Sequence, residues 1–162
     1  MIRVCFVCTG NICRSPTAHG IMEVLVKEHH LQNEVQVFSS GTEGYHIGEM
    51  ADPRSRSMAE SRGVPLHSRA EQFQVLDFDR FDYILAMDRS HKSKLKRLAR
   101  TQEDRQKIHT FLDFDPHSPN DLDVPDPYYG GEQGFVDVYD LCHAGCVGLL
   151  EHLQKEHGLA GG

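Results

Sequence analysis

The sequence predicts an α/β chain, a four-stranded parallel sheet with helices on both faces in the three-layer, Rossmann-like arrangement. Three observations predict it. Short runs rich in apolar and β-branched residues alternate with stretches of helical periodicity, the pattern of consecutive βαβ units. The 162 residues suit one domain, 1–162, with no repeat, low-complexity tract or dividing linker. Hydrophobic residues make up 39% and charged residues 25%, the balance of an ordinary globular chain. A domain of this size buries about two-thirds of its unfolded surface and needs no staples.

Each element has its own signal. Ile2 to Val7 is apolar and β-branched, a buried first strand. Ser15-Pro16 opens a helix, Ser as N-cap and Pro at the first position. Ala18, Ile21, Met22 and Leu25 continue it at helical spacing. Val35 to Ser39 alternates as a second strand. Asp52-Pro53 starts a helix that runs to Arg62-Gly63, where Gly suits the position after the C-cap. Phe81 to Met87 is a third strand, followed by a polar helix from about Ser90 to Arg100. Ile108 to Leu112 is a weaker fourth strand. Asp113 to Gly134, rich in Asp, Pro and Gly, reads as loop. Phe135, Val138, Cys142, Leu149 and Leu153 form one stripe of a long final helix that Gly158 ends.

Composition also excludes. A net charge of -7 does not favour nucleic acid as an obligate partner, because binding its backbone needs a basic surface, though a small basic pocket stays open. No apolar run approaches the roughly 20 residues of a membrane span. The first residues lack the long apolar region of a signal peptide, so the expected location is cytoplasmic. Five cysteines are too few and odd in number for a disulfide framework, which points to reduced thiols. Cys142 and Cys146 fall on the apolar stripe beside His143 and read as core, so no metal is expected. The basic run from His91 to Arg97 reads as a solvated helix face able to steer acidic partners. His67 suits either a place beneath the first loop or the surface.

In open parallel sheets, ligands bind outside the carboxyl ends of the strands. The segment after the first strand, Cys8-Thr9-Gly10-Asn11-Ile12-Cys13-Arg14-Ser15-Pro16, runs directly into a helix N-terminus. Such a turn aims several backbone N–H groups, and the helix dipole, at one spot. Gly10 and Asn11 tolerate the positive φ that a tight cradle needs. Cys8 at its mouth, near a helix N-terminus and a guanidinium, is expected to be largely thiolate near neutral pH. Arg14 can grip two phosphoryl oxygens in a fork. The spacing Cys-x5-Arg-Ser thus supplies a nucleophile, an oxyanion cradle and a clamp, the parts needed for phosphoryl transfer from a monoester to a thiolate. No nucleotide-type G-x-x-x-x-G-K-[ST] loop is present. A general acid is also needed. Asp113, Asp115, Asp121, Asp123 and Asp126 are all available, and spacing does not choose among them, although Pro127 restricts Asp126 to an extended backbone.

The Val7 to Pro16 stretch, with Asp126-Pro127-Tyr128-Tyr129, Ser39-Ser40-Gly41 and Met87-Asp88, resembles the low-molecular-weight protein tyrosine phosphatases, collinearly over essentially the whole chain. The resemblance implies a phosphocysteine on Cys8, phosphoryl binding by Arg14 and the loop from Thr9 to Cys13, and Asp126 as general acid and then base. It implies that Ser15 stabilises the thiolate and that Asn11 holds the loop, with Ser40 as one partner and Asp88 in support. Tyr45, Tyr128 and Tyr129 would wall the slot for an aromatic ring. Cys13 would pair reversibly with Cys8 on oxidation. The implied partners are phosphotyrosine proteins or peptides, with inorganic phosphate as product and no cofactor.

The chain departs from the family at His19, where Glu is common, and at Gly20, which costs about 1 kcal/mol in a helix and suggests close packing there. Rival readings on the same scaffold are a protein-arginine phosphatase, which carries Thr where Ile12 stands and lacks the tyrosine pair, and an arsenate reductase. The latter needs relay cysteines, yet none lies between Cys13 and Cys142. A non-catalytic phosphate-binding module would be expected to have lost Cys8 or Asp126.

Overall fold

Alternation along the first strand divides the interior in two. In β1 (Ile2–Cys8), Val4, Phe6 and Cys8 enter one apolar core, while Cys5 and Val7 enter the other. Both faces are buried, which is why the strands read as continuous apolar runs. The computed structural model describes residues 1–117 and 122–159, and of Tyr129 only the backbone. β1 is flanked in parallel by β2 (Val35–Gly41) and β3 (Tyr83–Ala86), with β4 (Ile108–Thr110) beyond, giving the order β2-β1-β3-β4. The expected four-stranded parallel sheet is present.

The first core is closed by α1 (Arg14–Glu28), α2 (Pro53–Glu60) and α5 (Gly131–His157), through residues such as Ile21, Ala59 and Leu149. The second is closed by α3 (Arg89–Leu98), through Leu95, and by Phe73, Phe78 and Phe81. Helices thus cover both faces.

Several boundaries differ from the sequence reading. α1 starts at Arg14 with Cys13, not Ser15, in the N-cap position, and no side chain caps it. The Ser15 hydroxyl is engaged towards the loop instead, and Pro16 still lies in the first turn, where its missing N–H costs nothing. The polar helix stops at Leu98. A short α4 (Gln102–Gln106) follows because the Thr101 side chain accepts from Asp104 N. The loop before the last helix is shorter than expected, since α5 starts at Gly131. Gly158, at φ 63°, ends α5 as expected.

Two helical glycines mark close approaches. A Cβ on Gly20 would stand 2.4 Å from Leu66 Cδ2 and 3.1 Å from Pro65 O, so residues 64–66 do pack directly on α1. A Cβ on Gly148 would stand 1.8 Å from Phe114 O, a backbone atom that cannot swing aside. Gly148→Ala is therefore expected to lower stability by roughly 3 kcal/mol. Urea unfolding checks this, and a wild-type midpoint would refute the contact.

Candidate active site

The carboxyl ends of β1 and β3 meet where the strand order reverses, the position at which such sheets bind ligands. Cys8 is the last residue of β1 and lies opposite Gly41 of β2. From there the chain turns into α1 within residues 9–13. Asn11 makes the turn, at φ 59°. Gly10 does not use positive φ, contrary to expectation. Its missing side chain instead admits the His46 ring, whose Cδ2 would stand 2.8 Å from a Cβ there.

The loop is held from outside. Thr42 N donates to Cys8 O, Glu43 N to Thr9 O and Asp52 N to Ile12 O, at 2.8, 3.0 and 2.8 Å. In a planar trans peptide the following N–H points opposite to the carbonyl, so the N–H groups of Thr9, Gly10 and Cys13 point away from those three partners. Asn11 Nδ2 donates to Ser15 Oγ at 2.7 Å, and Glu71 N donates to Asn11 Oδ1 at 3.0 Å. Ser15 Oγ lies 3.0 Å from Cys8 Sγ and donates to Ser40 O at 3.4 Å. The expected Asn11–Ser40 contact is thus relayed through Ser15. The Ser40 hydroxyl itself faces Cys5 Sγ at 3.3 Å, because that thiol fills the space behind it. Gly41 is required by proximity, since a Cβ there would meet Thr9 O at 2.5 Å.

Arg14 is buried. Its Nη1 donates to Asp88 Oδ2 at 2.7 Å and to Val124 O at 3.0 Å. Asp88 caps α3, its Oδ1 accepting from Ser90 N and His91 N. Burial alone would raise the Asp88 carboxyl, but Ser90, His91 and Arg14 together hold it below the usual carboxylate range. Asp126 has the extended backbone expected before Pro127, with φ -73° and ψ 119°. Its Oδ1 accepts from Tyr128 N at 3.0 Å, and its Oδ2 stands 4.0 Å from Arg14 Nη2. Among the described aspartates of this segment, Asp126 is the one lining the cleft with Cys8. Asp123 is paired with Arg89, Asp115 accepts from His117 N, and Asp121 lies outside the described residues.

The cleft measures about 140 Å³. Cys8, Thr9, Gly10, Ile12, Cys13 and Arg14 line it, with Tyr45, His46, Asp126 and Tyr128. Tyr45 and Tyr128 are 73% and 55% exposed, which leaves their rings available to a ligand at the mouth. Arg54, doubly bonded to Asp52, lies over the Tyr128 ring at 5.3 Å. The Tyr129 side chain lies outside what the structure describes.

Burial pushes the Cys13 and Cys5 thiols up to about 12. Cys142 and Cys146 go up as well, and donate S–H to the carbonyls of Arg14 and Ala18. They are packing residues, as read from the apolar stripe.

Of two histidines, His67 takes the surface place that the sequence allowed, and His91 departs from the sequence reading. His67 is exposed and pairs with Glu23 at 3.4 Å, away from the loop. His91 is 1% exposed, not part of a solvated face. Its Nε2 lies 2.9 Å from Thr9 Oγ1, and Asp88 N donates to its Nδ1 at 3.2 Å. The spacing Asp88-x-x-His91 has the form of a capping box and could have located it. His46, Glu71 and Val124 were also missed, the last two because they act through backbone atoms.

The model of the low molecular weight phosphotyrosine protein phosphatases matches residues 3–159. The chain belongs to that family. A low molecular weight protein-tyrosine-phosphatase of Streptomyces coelicolor is 43% identical over 155 residues, 95% of this chain and 94% of the relative. A solved protein tyrosine phosphatase of Entamoeba histolytica superposes with a TM-score of 0.91 at 38% identity, covering 98% of this chain and 100% of that one. The Drosophila arginine phosphatase superposes at 0.87 with 30% identity, covering 94% and 98%.

Two buried histidines give stability a pH dependence. Burial, then the charge of His67, lowers His19 from 6.5 to about 4, and burial, then Arg14, does the same to His91. Between those values the unfolded chain binds protons that the folded chain refuses, so stability is lost as pH falls through that window. The melting temperature is expected to be lower at about pH 5 than at about pH 7, and His19→Gln to shrink the difference. Identical melting at both pH values would contradict this.

Proposed function

We propose that the protein hydrolyses phosphotyrosine monoesters of proteins or peptides through a phosphocysteine on Cys8, releasing inorganic phosphate. The observation that carries this reading is the convergence of Cys8, Arg14 and Asp126 on one small cleft at an uncapped helix N-terminus. Loop N–H groups from Thr9 to Cys13 and the Arg14 guanidinium hold the phosphoryl oxygens. The Cys8 sulfur attacks phosphorus, and the bond to the phenolic oxygen breaks as Asp126 gives that oxygen its proton. Asp126 then takes a proton from water, which attacks the phosphocysteine. Phosphate leaves, and the Ser15 hydroxyl, 3.0 Å from Cys8 Sγ, turns its hydrogen from Ser40 O to the departing sulfur. Asp88 keeps Arg14 oriented, Ser40 supports Ser15, and Tyr45 and Tyr128 wall the ring. No metal or cofactor enters. Residues 1–162 act as one domain, in the cytoplasm, where an odd set of free thiols stays reduced.

The fold is shared with an arginine phosphatase and does not choose the substrate. Ile12 and Tyr128 on the cleft favour an aryl group. Arsenate reduction is disfavoured because Cys142 and Cys146 are sealed in the core and cannot relay a disulfide.

Cys8→Ser is expected to abolish turnover while retaining phosphate binding. Assay on phosphotyrosine, phosphoserine and phosphoarginine peptides should rank phosphotyrosine first. Full activity in Cys8→Ser would end the proposal, and a preference for phosphoarginine would hand it to the alternative. Asp126→Ala should slow hydrolysis of a poor leaving group by about 100-fold and matter much less for an activated one.

Cys13 shares the cleft with Cys8 and supports a redox role for the pair. Mild peroxide would convert Cys8 to a sulfenic acid, and the Cys13 sulfur would displace water from it to form a disulfide. The raised Cys13 thiol makes that closure slow near neutral pH. Peptide mapping should find the Cys8–Cys13 link, reversed by a dithiol. Irreversible Cys8 acids alone, with Cys13 free, would reject the role.

A further inference from the structure

The helix beside the cleft carries charge that the reaction above does not use. α3 reads Arg89-Ser90-His91-Lys92-Ser93-Lys94-Leu95-Lys96-Arg97-Leu98 and contains no acid. His91 and Leu95 are its buried residues. At 3.6 residues per turn, Arg89, Lys92, Lys96 and Arg97 fall together on the side turned away from them. Arg89, Lys96 and Arg97 are exposed and Lys92 is partly so. Lys94 stands apart, tied to Glu43. Of the four, Arg89 pairs with Asp123 at 3.2 Å. Among the described residues, no ion pair or hydrogen bond joins Lys92, Lys96 or Arg97 to a carboxylate. Arg100, just beyond the helix, shows the contrast, since Asp79 and Asp104 both hold it. Lys92 and Lys96 stand four apart, the spacing at which like charges repel on a helix surface. The helix dipole favours Lys96 and Arg97 in the last turn but opposes Arg89 and Lys92 near the start. An uncompensated basic stripe thus persists on a chain whose net charge is -7.

We propose that this stripe docks an acidic segment of the same polypeptide whose phosphotyrosine enters the cleft. Its position carries the assignment. α3 begins at the site, where Asp88 caps it and receives Arg14. Ser90, in its first turn, borders a surface depression together with Arg14 and Asp126. At 1.5 Å per residue, Arg97 lies about 12 Å along the helix from Arg89. An extended chain covers that length in about four residues. A run of carboxylates close to the phosphotyrosine in sequence therefore reaches Lys92, Lys96 and Arg97 while the phosphoryl group sits in the loop. Beyond the stripe the chain is acidic overall, which repels a broad polyanion such as a membrane surface or a nucleic acid and leaves a short segment as the fitting partner. The proposal rests on the phosphatase reading for what occupies the cleft.

Fluorescence anisotropy of labelled peptides tests this without turnover. Each peptide carries a non-hydrolysable phosphonate mimic of phosphotyrosine, followed or preceded at a short spacing by a run of glutamates or of glutamines. At low salt the best glutamate peptide should bind about tenfold tighter than its glutamine twin, and the ratio should fall below about twofold at about 0.5 M salt. The triple variant Lys92→Gln, Lys96→Gln, Arg97→Gln should lose the preference. The variant Lys92→Glu, Lys96→Glu, Arg97→Glu should transfer it to a lysine-flanked peptide, a reversal that damage to the fold does not produce. Equal affinity for glutamate and glutamine peptides in the wild type refutes the docking role, and so does a preference that survives the triple replacement. Phosphatidylserine vesicles bound more tightly than the acidic peptide, and released by the same replacement, would assign the stripe to a membrane and overturn the proposal. A chain that holds the acidic peptide in the expected pattern but does not cleave phosphotyrosine refutes the phosphatase reading alone. Cleavage of phosphotyrosine with no preference for the acidic run refutes only the docking role.

Discussion

The loop between β1 and α1 has its shape enforced from outside itself, and Asn11 supplies much of that enforcement. Its left-handed backbone costs an ordinary side chain about 1–2 kcal/mol. The two hydrogen bonds of its amide, to Ser15 and from Glu71, offset this at about 1 kcal/mol each. Those bonds join the loop to α1 and to the segment after α2. That segment is tied in turn to β2, since Gly41 N donates to Glu71 O and Phe73 N to Gly41 O. The loop is thus a left-handed turn held inside a rigid frame.

The other half of the site is built from the third strand outward. β3 ends at Ala86, and Asp88 both caps α3 and receives Arg14. Val124 N donates to Met87 O while Val124 O accepts from Arg14, so the segment that carries Asp126 is pinned to the same strand end. Cys8 and Asp126 therefore reach the cleft from different parts of the chain, and Arg14 stands between them. α5 locks the arrangement from beneath, through the thiol of Cys142 on the Arg14 carbonyl.

The sheet, most helices and the loop from Cys8 to Ser15 were readable because each rests on local pattern: apolar runs, turn residues, a helix start after a strand. Asp126 was readable only by resemblance, because five aspartates share one segment and only tertiary contact separates them. His91 was misread because a basic run looks solvated when periodicity is ignored, although its spacing from Asp88 carried the cap. The role of Gly10 was misassigned because sequence reports that glycine is permissive without saying whether φ or space is the demand. Glu71 and Val124 carry no signal in side-chain type, since they contribute an N–H and a carbonyl.

The narrow cleft has a consequence for chemistry other than catalysis. All five thiols are buried, but Cys8 and Cys13 border an opening and the other three do not. Access to sulfur is therefore decided by size and charge at one doorway. Tyr45 and Tyr128 stand at the mouth of that opening. An anion seated in the loop would close the doorway altogether. The loop that lines this opening thus also borders the approach of any reagent to these two sulfurs.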